Sequence, residues 1–140
     1  MIIKNKDYVT HDVAKLLKEK GYDGFDDFLV YYITKDCKCV GFWGFEKEFK
    51  EGQIIEPNDY NCYNIPKENM QKGVVELCDA QKWLREFYDL NIIVEFDNSQ
   101  LWGWTLYQCN IDDKYVDTNS MFKTYEEALN AGIKKALEFI

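Results

Sequence analysis

The chain has 140 residues, enough for one ordinary domain and too few for two with separate large cores. Hydrophobic residues make up 46% and aromatics 16%, which excludes intrinsic disorder as the main state. With 25 acidic and 17 basic residues the formal charge is −8, a balance that repels phosphate backbones and anionic lipid, so direct nucleic-acid or membrane binding is not expected.

The opening Met1-Ile-Ile-Lys-Asn-Lys-Asp7 has no signal-peptide core, and no apolar run reaches the roughly 18–20 residues of a membrane span, which predicts a cytoplasmic protein. Thr10 stands where a helix N-cap belongs. Val13, Leu16 and Leu17 then recur at helical spacing and Gly21 stops a helix over 11–20, with Tyr22 closing back on its last turn. The period changes at Phe28-Leu-Val-Tyr-Tyr-Ile-Thr34, a β-branched and aromatic strand. Lys35–Lys38 reads as a turn and Cys39-Val-Gly-Phe-Trp-Gly-Phe45 as the return strand of a hairpin.

Residues 46–75 are charged, then bracketed by Pro57 and Pro66, and carry little periodicity. Thirty structureless residues are unusual inside a compact domain, so short strands are expected near 53–56 and 73–76. From Leu77 the pattern is plain. Leu77, Ala80, Trp83, Leu84, Phe87 and Tyr88 make one face of a helix over 77–89. Strands follow at Asn91–Asp97, Leu101–Cys109 and Lys114–Asp117, with turns at Asp97–Gln100 and Asn110–Asp113. Thr124-Tyr-Glu-Glu127 has capping-box spacing and opens a closing helix whose face is Tyr125, Leu129, Ile133, Ala136, Leu137 and Ile140. The prediction is one α+β domain over 1–140, a mostly antiparallel sheet packed by about three helices. Its C-terminal half runs helix, three strands, helix. Sub-halves 1–50 and 73–140 joined by an irregular segment are the alternative division.

Cys78-Asp-Ala-Gln-Lys-Trp-Leu-Arg-Glu86, Ile92-Ile-Val-Glu95 and the ending Phe122–Ile140 resemble small proteins encoded by phages and prophages of gut Bacteroidetes. Ala14-Lys-Leu-Leu-Lys-Glu-Lys-Gly-Tyr22 is similar to the first helix of that group, while 46–72 is unmatched. The resemblance implies a mobile-element protein and carries over no catalytic or ligand residue. The order helix, three strands, helix is also similar to the double-stranded RNA-binding domain. That domain grips phosphates from a basic start of the last helix, where this chain has Thr124-Tyr-Glu-Glu127, so RNA binding is not predicted.

Five cysteines are an odd set and are read as reduced thiols. Cys37-Lys38-Cys39 has no second knuckle, and the single histidine, His11, falls at a helix start, so neither a metal nor a cofactor is predicted. Asp26, Asp27, Asp36, Asp97, Asp112 and Asp113 fall at turns, where solvated carboxylates are ordinary. No nucleophile motif, G-x-G-x-x-G or P-loop occurs.

The aromatics carry more. Alternation puts Trp102, Trp104 and Leu106 on one strand face, opposite Leu101, Thr105 and Tyr107, and sets Val40 and Phe42 against Trp43 and Phe45. Both faces being apolar calls for helices on both sides of the sheet or for an aromatic face that binds something. Packing against three amphipathic helices is the principal reading. The surface alternative makes Trp43, Trp102, Trp104, Tyr60 and Tyr63 the candidate interaction residues. The functional expectation is a non-enzymatic module that binds a host or phage protein, with oligomer formation open. An acidic mimic of nucleic acid that blocks a DNA-binding enzyme, and a small carboxylate- or metal-dependent enzyme, are the rivals.

Overall fold

A computed structural model describes residues 8–25, 30–56, 62–109 and 114–140. In chain order they form α1 (His11–Glu19), β1 (Tyr31–Ile33), β2 (Cys37–Val40), β3 (Glu46–Phe49), β4 (Ile54–Ile55), a 3-10 turn at Lys67–Asn69 and β5 (Met70–Lys72). Then come α2 (Leu77–Tyr88), β6 (Leu90–Phe96), β7 (Trp102–Gln108), β8 (Lys114–Phe122) and α3 (Tyr125–Phe139). Each of the five strand pairings is antiparallel, and the class is α+β, as the sequence predicts.

Helix α1 ends as its glycine implies. The Tyr22 N–H reaches back to the Leu17 carbonyl at 3.0 Å and the Gly21 N–H to Lys18 at 3.1 Å, and Tyr22 is buried against the helix it closes. Its start differs from the expectation. Thr10 occupies the N-cap position without capping the first turn through its side chain. Its hydroxyl instead donates to the Asp12 carboxylate, and its N–H donates to Asn130 Oδ1 at 3.0 Å, tying α1 to α3.

The N-terminal strands pair differently from the predicted hairpin. β1 is the centre of a three-stranded sheet in the order β4-β1-β5, whereas β2 pairs with β3 in a sheet of two. The reason lies in β1's two faces: Tyr32 and Ile33 are both fully buried, so the strand needs cover on each side and a ladder on each edge. The stretch read as a return strand contains Gly41 and Gly44, and it turns there instead. Of the strands expected in the middle segment, β4 lies where anticipated. The other, β5, ends just before the anticipated 73–76, where Val74 and Val75 are buried core residues outside any ladder and Glu76 bridges Tyr8.

The C-terminal half follows its predicted order, with strand order β6-β7-β8. β8 is longer than expected because the polar Thr118-Asn119-Ser120 stays in register with β7, and the Thr105 and Thr118 hydroxyls meet at 3.0 Å. The turn expected at 110–113 lies outside the described residues. Thr124 caps α3 by accepting the Glu127 N–H at 3.1 Å. Helix α3 packs across all three strands and α2 packs on β6 and α3. Gly132 lets α3 sit this close, since a Cβ there would lie 2.7 Å from Ile92 Cγ2 and 3.1 Å from Trp104 Cβ. The helices thus cover the face of Ile92, Trp104 and Leu106. The opposite face, with Ile93, Thr105 and Tyr107, remains more open, so the expected cover on both sides is corrected to one.

Two apolar clusters result. The larger joins Val13 and Leu17 of α1, Tyr32 of β1, Leu84 of α2, Leu106 of β7 and Ile133 of α3. The smaller holds Ile33, Cys39, Phe49, Ile55 and Ile65. β1 is the wall between them, giving Tyr32 to one and Ile33 to the other.

Candidate interaction surface

Strands β2 and β3 alternate strictly. Cys39 and Phe49 face the smaller core and are buried, while Lys38, Val40, Glu46 and Glu48 face solvent. The register sets Lys38 opposite Glu48, and Lys38 lies 3.9 Å from Glu46. This alternation anchors the hairpin from one side only, and everything beyond Val40 projects from the anchor.

The connecting residues are Gly41-Phe42-Trp43-Gly44-Phe45. The Gly41 N–H donates to the Phe45 carbonyl at 2.9 Å and the Gly44 N–H to the Gly41 carbonyl at 3.0 Å. A second segment braces the turn: Gly41 bridges Tyr63, and the Phe42 N–H donates to the Cys62 carbonyl at 3.2 Å. Only glycine permits that approach, because a Cβ at 41 would lie 2.9 Å from the Tyr63 ring. Tyr63 stands edge-on to Phe49, centroids 5.7 Å apart, and the Lys47 ammonium lies over both rings.

The backbone is therefore fixed while its side chains are not covered. Val40 is 58% exposed, Phe42 80%, Trp43 85% and Phe45 72%. Isolated surface apolars are ordinary, but four within six consecutive residues form a patch. Between them lies a slot of about 260 Å³, lined by Phe42, Trp43, Phe45, Lys47 and Tyr63.

Of the candidate residues, the structure brings Trp43 and Tyr63 together at this slot. Trp102 is half-buried at the end of the C-terminal sheet, packed on Phe96 at 5.0 Å and Tyr125 at 5.5 Å. Trp104 is only 5% exposed and belongs to the larger core, so it is withdrawn from the surface. Tyr60 lies outside the described residues. Strand alternation places Phe42 and Phe45 on opposite faces and so does not mark them as surface groups. The signal that would have found them is the glycine pair at 41 and 44.

The other concavities offer less chemistry. A groove of about 580 Å³ between the starts of α1 and α3 contains Asp12, Glu126 and Lys134. Partial burial pushes the Asp12 carboxyl up, but the Thr10 hydroxyl and the Lys134 ammonium, 3.0 Å away, outweigh it and hold it below the usual range. A carboxylate held ionised is a poor proton donor at neutral pH. The two thiols of the C-x-C pair lie 3.9 Å apart, and burial first, then Cys37 beside it, pushes the Cys39 thiol up. Glu76, Cys78 and Asp79 at the start of α2 each place a ligand atom within 4.8 Å of the others. Burial, then the two carboxylates, push the Cys78 thiol up. Among the described residues, no helix is long and apolar enough to cross a membrane. The chain matches no family model, no curated protein and no solved structure.

Proposed function

We propose that the protein is a non-enzymatic interaction module that binds a host or phage protein through the aromatic tip of the β2–β3 hairpin. One observation carries this: a rigidly braced turn holds three aromatic side chains in solvent, where folding draws no benefit from them. Each aromatic offers roughly 150–250 Å² for burial. A partner that covers the tip removes this area from water, which is the driving force for its association. The assignment to a phage or mobile element, and to the cytoplasm, rests on the sequence resemblance at the two ends of the chain and on the composition.

The test is a paired comparison of the wild type with a Phe42→Ser, Trp43→Ser double variant, by size exclusion and by pull-down from host lysate. Both sites are exposed, so the variant is expected to keep its stability within about 0.5 kcal/mol per site and to lose the partner that the wild type retains. A partner held equally well by both proteins, or a wild type that binds none, overturns the proposal.

A further inference from the structure

We infer that Cys37 and Cys39 form a two-thiolate clamp for a soft monovalent cation, copper(I), with Met70 as the third sulfur, a site independent of what the aromatic tip binds. The strand sets the pair up. In β2, residues two apart share a face, so both thiols point into the smaller cluster, where their sulfurs lie 3.9 Å apart. Cys39 is buried and Cys37 only half-buried, which leaves a way in from solvent. Met70 of β5 packs against the same cluster, so three of its nine members carry sulfur.

The span fits one bridging ion. With metal–thiolate bonds of about 2.3 Å, sulfurs 3.9 Å apart subtend about 116° at an ion held between them, close to the trigonal value. A disulfide fits worse. Cα atoms two apart along a strand are separated by roughly 6.6–6.8 Å, the far end of the range that disulfides accept. Closing that bond would drag β2 out of its register with β3, whereas an ion joins the thiols where they stand.

Donor count and softness then choose the ion. Among the described residues, the three of His, Cys, Asp and Glu whose ligand atoms converge are Glu76, Cys78 and Asp79, so no imidazole or carboxylate completes a tetrahedral shell at Cys37 and Cys39. Zinc, calcium and magnesium are left short of donors. Copper(I) is satisfied by two or three sulfurs, thiolate and thioether being the ligands that select it. The charge agrees. On binding, each thiol yields its proton to water, two Cu–S bonds replace two S–H bonds, and copper stays in the +1 state, so no electron is exchanged. The product carries one negative charge. Burial opposes a bare thiolate at Cys39, but the charge of the complex is answered by Lys47, which stands opposite Cys39 in the register and on the same face as Phe49. A zinc dithiolate would be neutral and draw nothing from Lys47.

The test is an anaerobic titration of copper(I), buffered by bicinchoninate, into the wild type and into a Cys62→Ser, Cys78→Ser, Cys109→Ser variant that keeps only the pair. All three replaced thiols are exposed, so the fold is expected to survive. Both proteins are expected to bind one equivalent, with X-ray absorption showing two or three sulfurs around copper and amide shift changes centred on β2, β3 and β5. Adding Cys37→Ser to the triple variant is expected to abolish uptake while the amide spectrum stays folded. Lys47→Gln is expected to weaken binding by about tenfold, and Met70→Leu to lower the sulfur count by one. A triple variant that takes up no copper, or uptake unchanged by Cys37→Ser, overturns the inference. Zinc bound as tightly as copper(I) overturns the choice of ion, and an unchanged sulfur count in Met70→Leu removes Met70 from the site.

Discussion

At the β6–β7 turn, Asp97 Oδ1 accepts the Ser99 N–H at 2.9 Å, the Ser99 hydroxyl at 2.6 Å and the Leu101 N–H at 3.1 Å. Its other oxygen accepts the Ser120 hydroxyl from β8, so one carboxylate ties the turn to the neighbouring strand. The Ser120 hydroxyl first, then Ser99 and the Leu101 amide, hold its carboxyl down at about 2, against an ordinary 3.8. The folded state thus favours the ionised form. That contribution is complete above the ordinary value and is lost as the pH falls through about 4 towards about 2. Asp97→Asn is expected to lower the urea midpoint at pH 7, with the gap from wild type narrowing across that window. Both proteins share their remaining acids, so the difference between their midpoints isolates Asp97. A gap constant from neutral to strongly acidic pH would show that shape, not charge, holds the turn.

The β2–β3 hairpin rests on a cluster of five buried residues, of which it supplies Cys39 and Phe49. Phe49→Ala removes the largest of these side chains, a change of about 3–5 kcal/mol in a well-packed site. Because β1 separates this cluster from the larger core, the expected loss is local. Hydrogen exchange is expected to show β2 and β3 amides losing protection while β6 and β7 keep theirs, with the tip's binding lost in parallel. The same element marks the limit of what the sequence discloses. Helices α2 and α3, the Gly21 stop and the order of β6, β7 and β8 are legible because periodicity and caps are local signals. The pairing of β1 with β4 and β5 is not, since Tyr31-Tyr-Ile33 reads the same at the centre of a sheet as at its edge. Only partners more than twenty residues away decide the matter. The tip is half legible: Trp43 and Tyr63 stand out in the sequence, but alternation across Gly41 and Gly44 hides that Phe42, Trp43 and Phe45 emerge together. Trp104 failed as a surface residue because period-2 alternation says which residues share a face, and not which face a helix will cover.

At the scale of the molecule the larger core draws on both ends of the chain. Val13 and Leu17 of α1 share it with Leu106 of β7 and Ile133 of α3, and the Asp12–Lys134 pair and the Thr10–Asn130 hydrogen bonds join the same two helices at its margin. The ion pair is exposed and screened by solvent, so the coupling between the halves comes from apolar packing. Leu17 is fully buried, and Leu17→Ala is expected to cost about 2–5 kcal/mol. If one core serves both halves, that loss is not confined to α1. Amides of β7, far along the chain, exchange only when the shared core opens, and their protection is expected to fall by nearly the same free energy as the global stability measured by denaturant. Two halves folding independently would instead leave β7 protection at its wild-type value while α1 alone becomes labile. Hydrogen exchange on this one variant therefore distinguishes a single cooperative unit over both halves from two units meeting at α1 and α3.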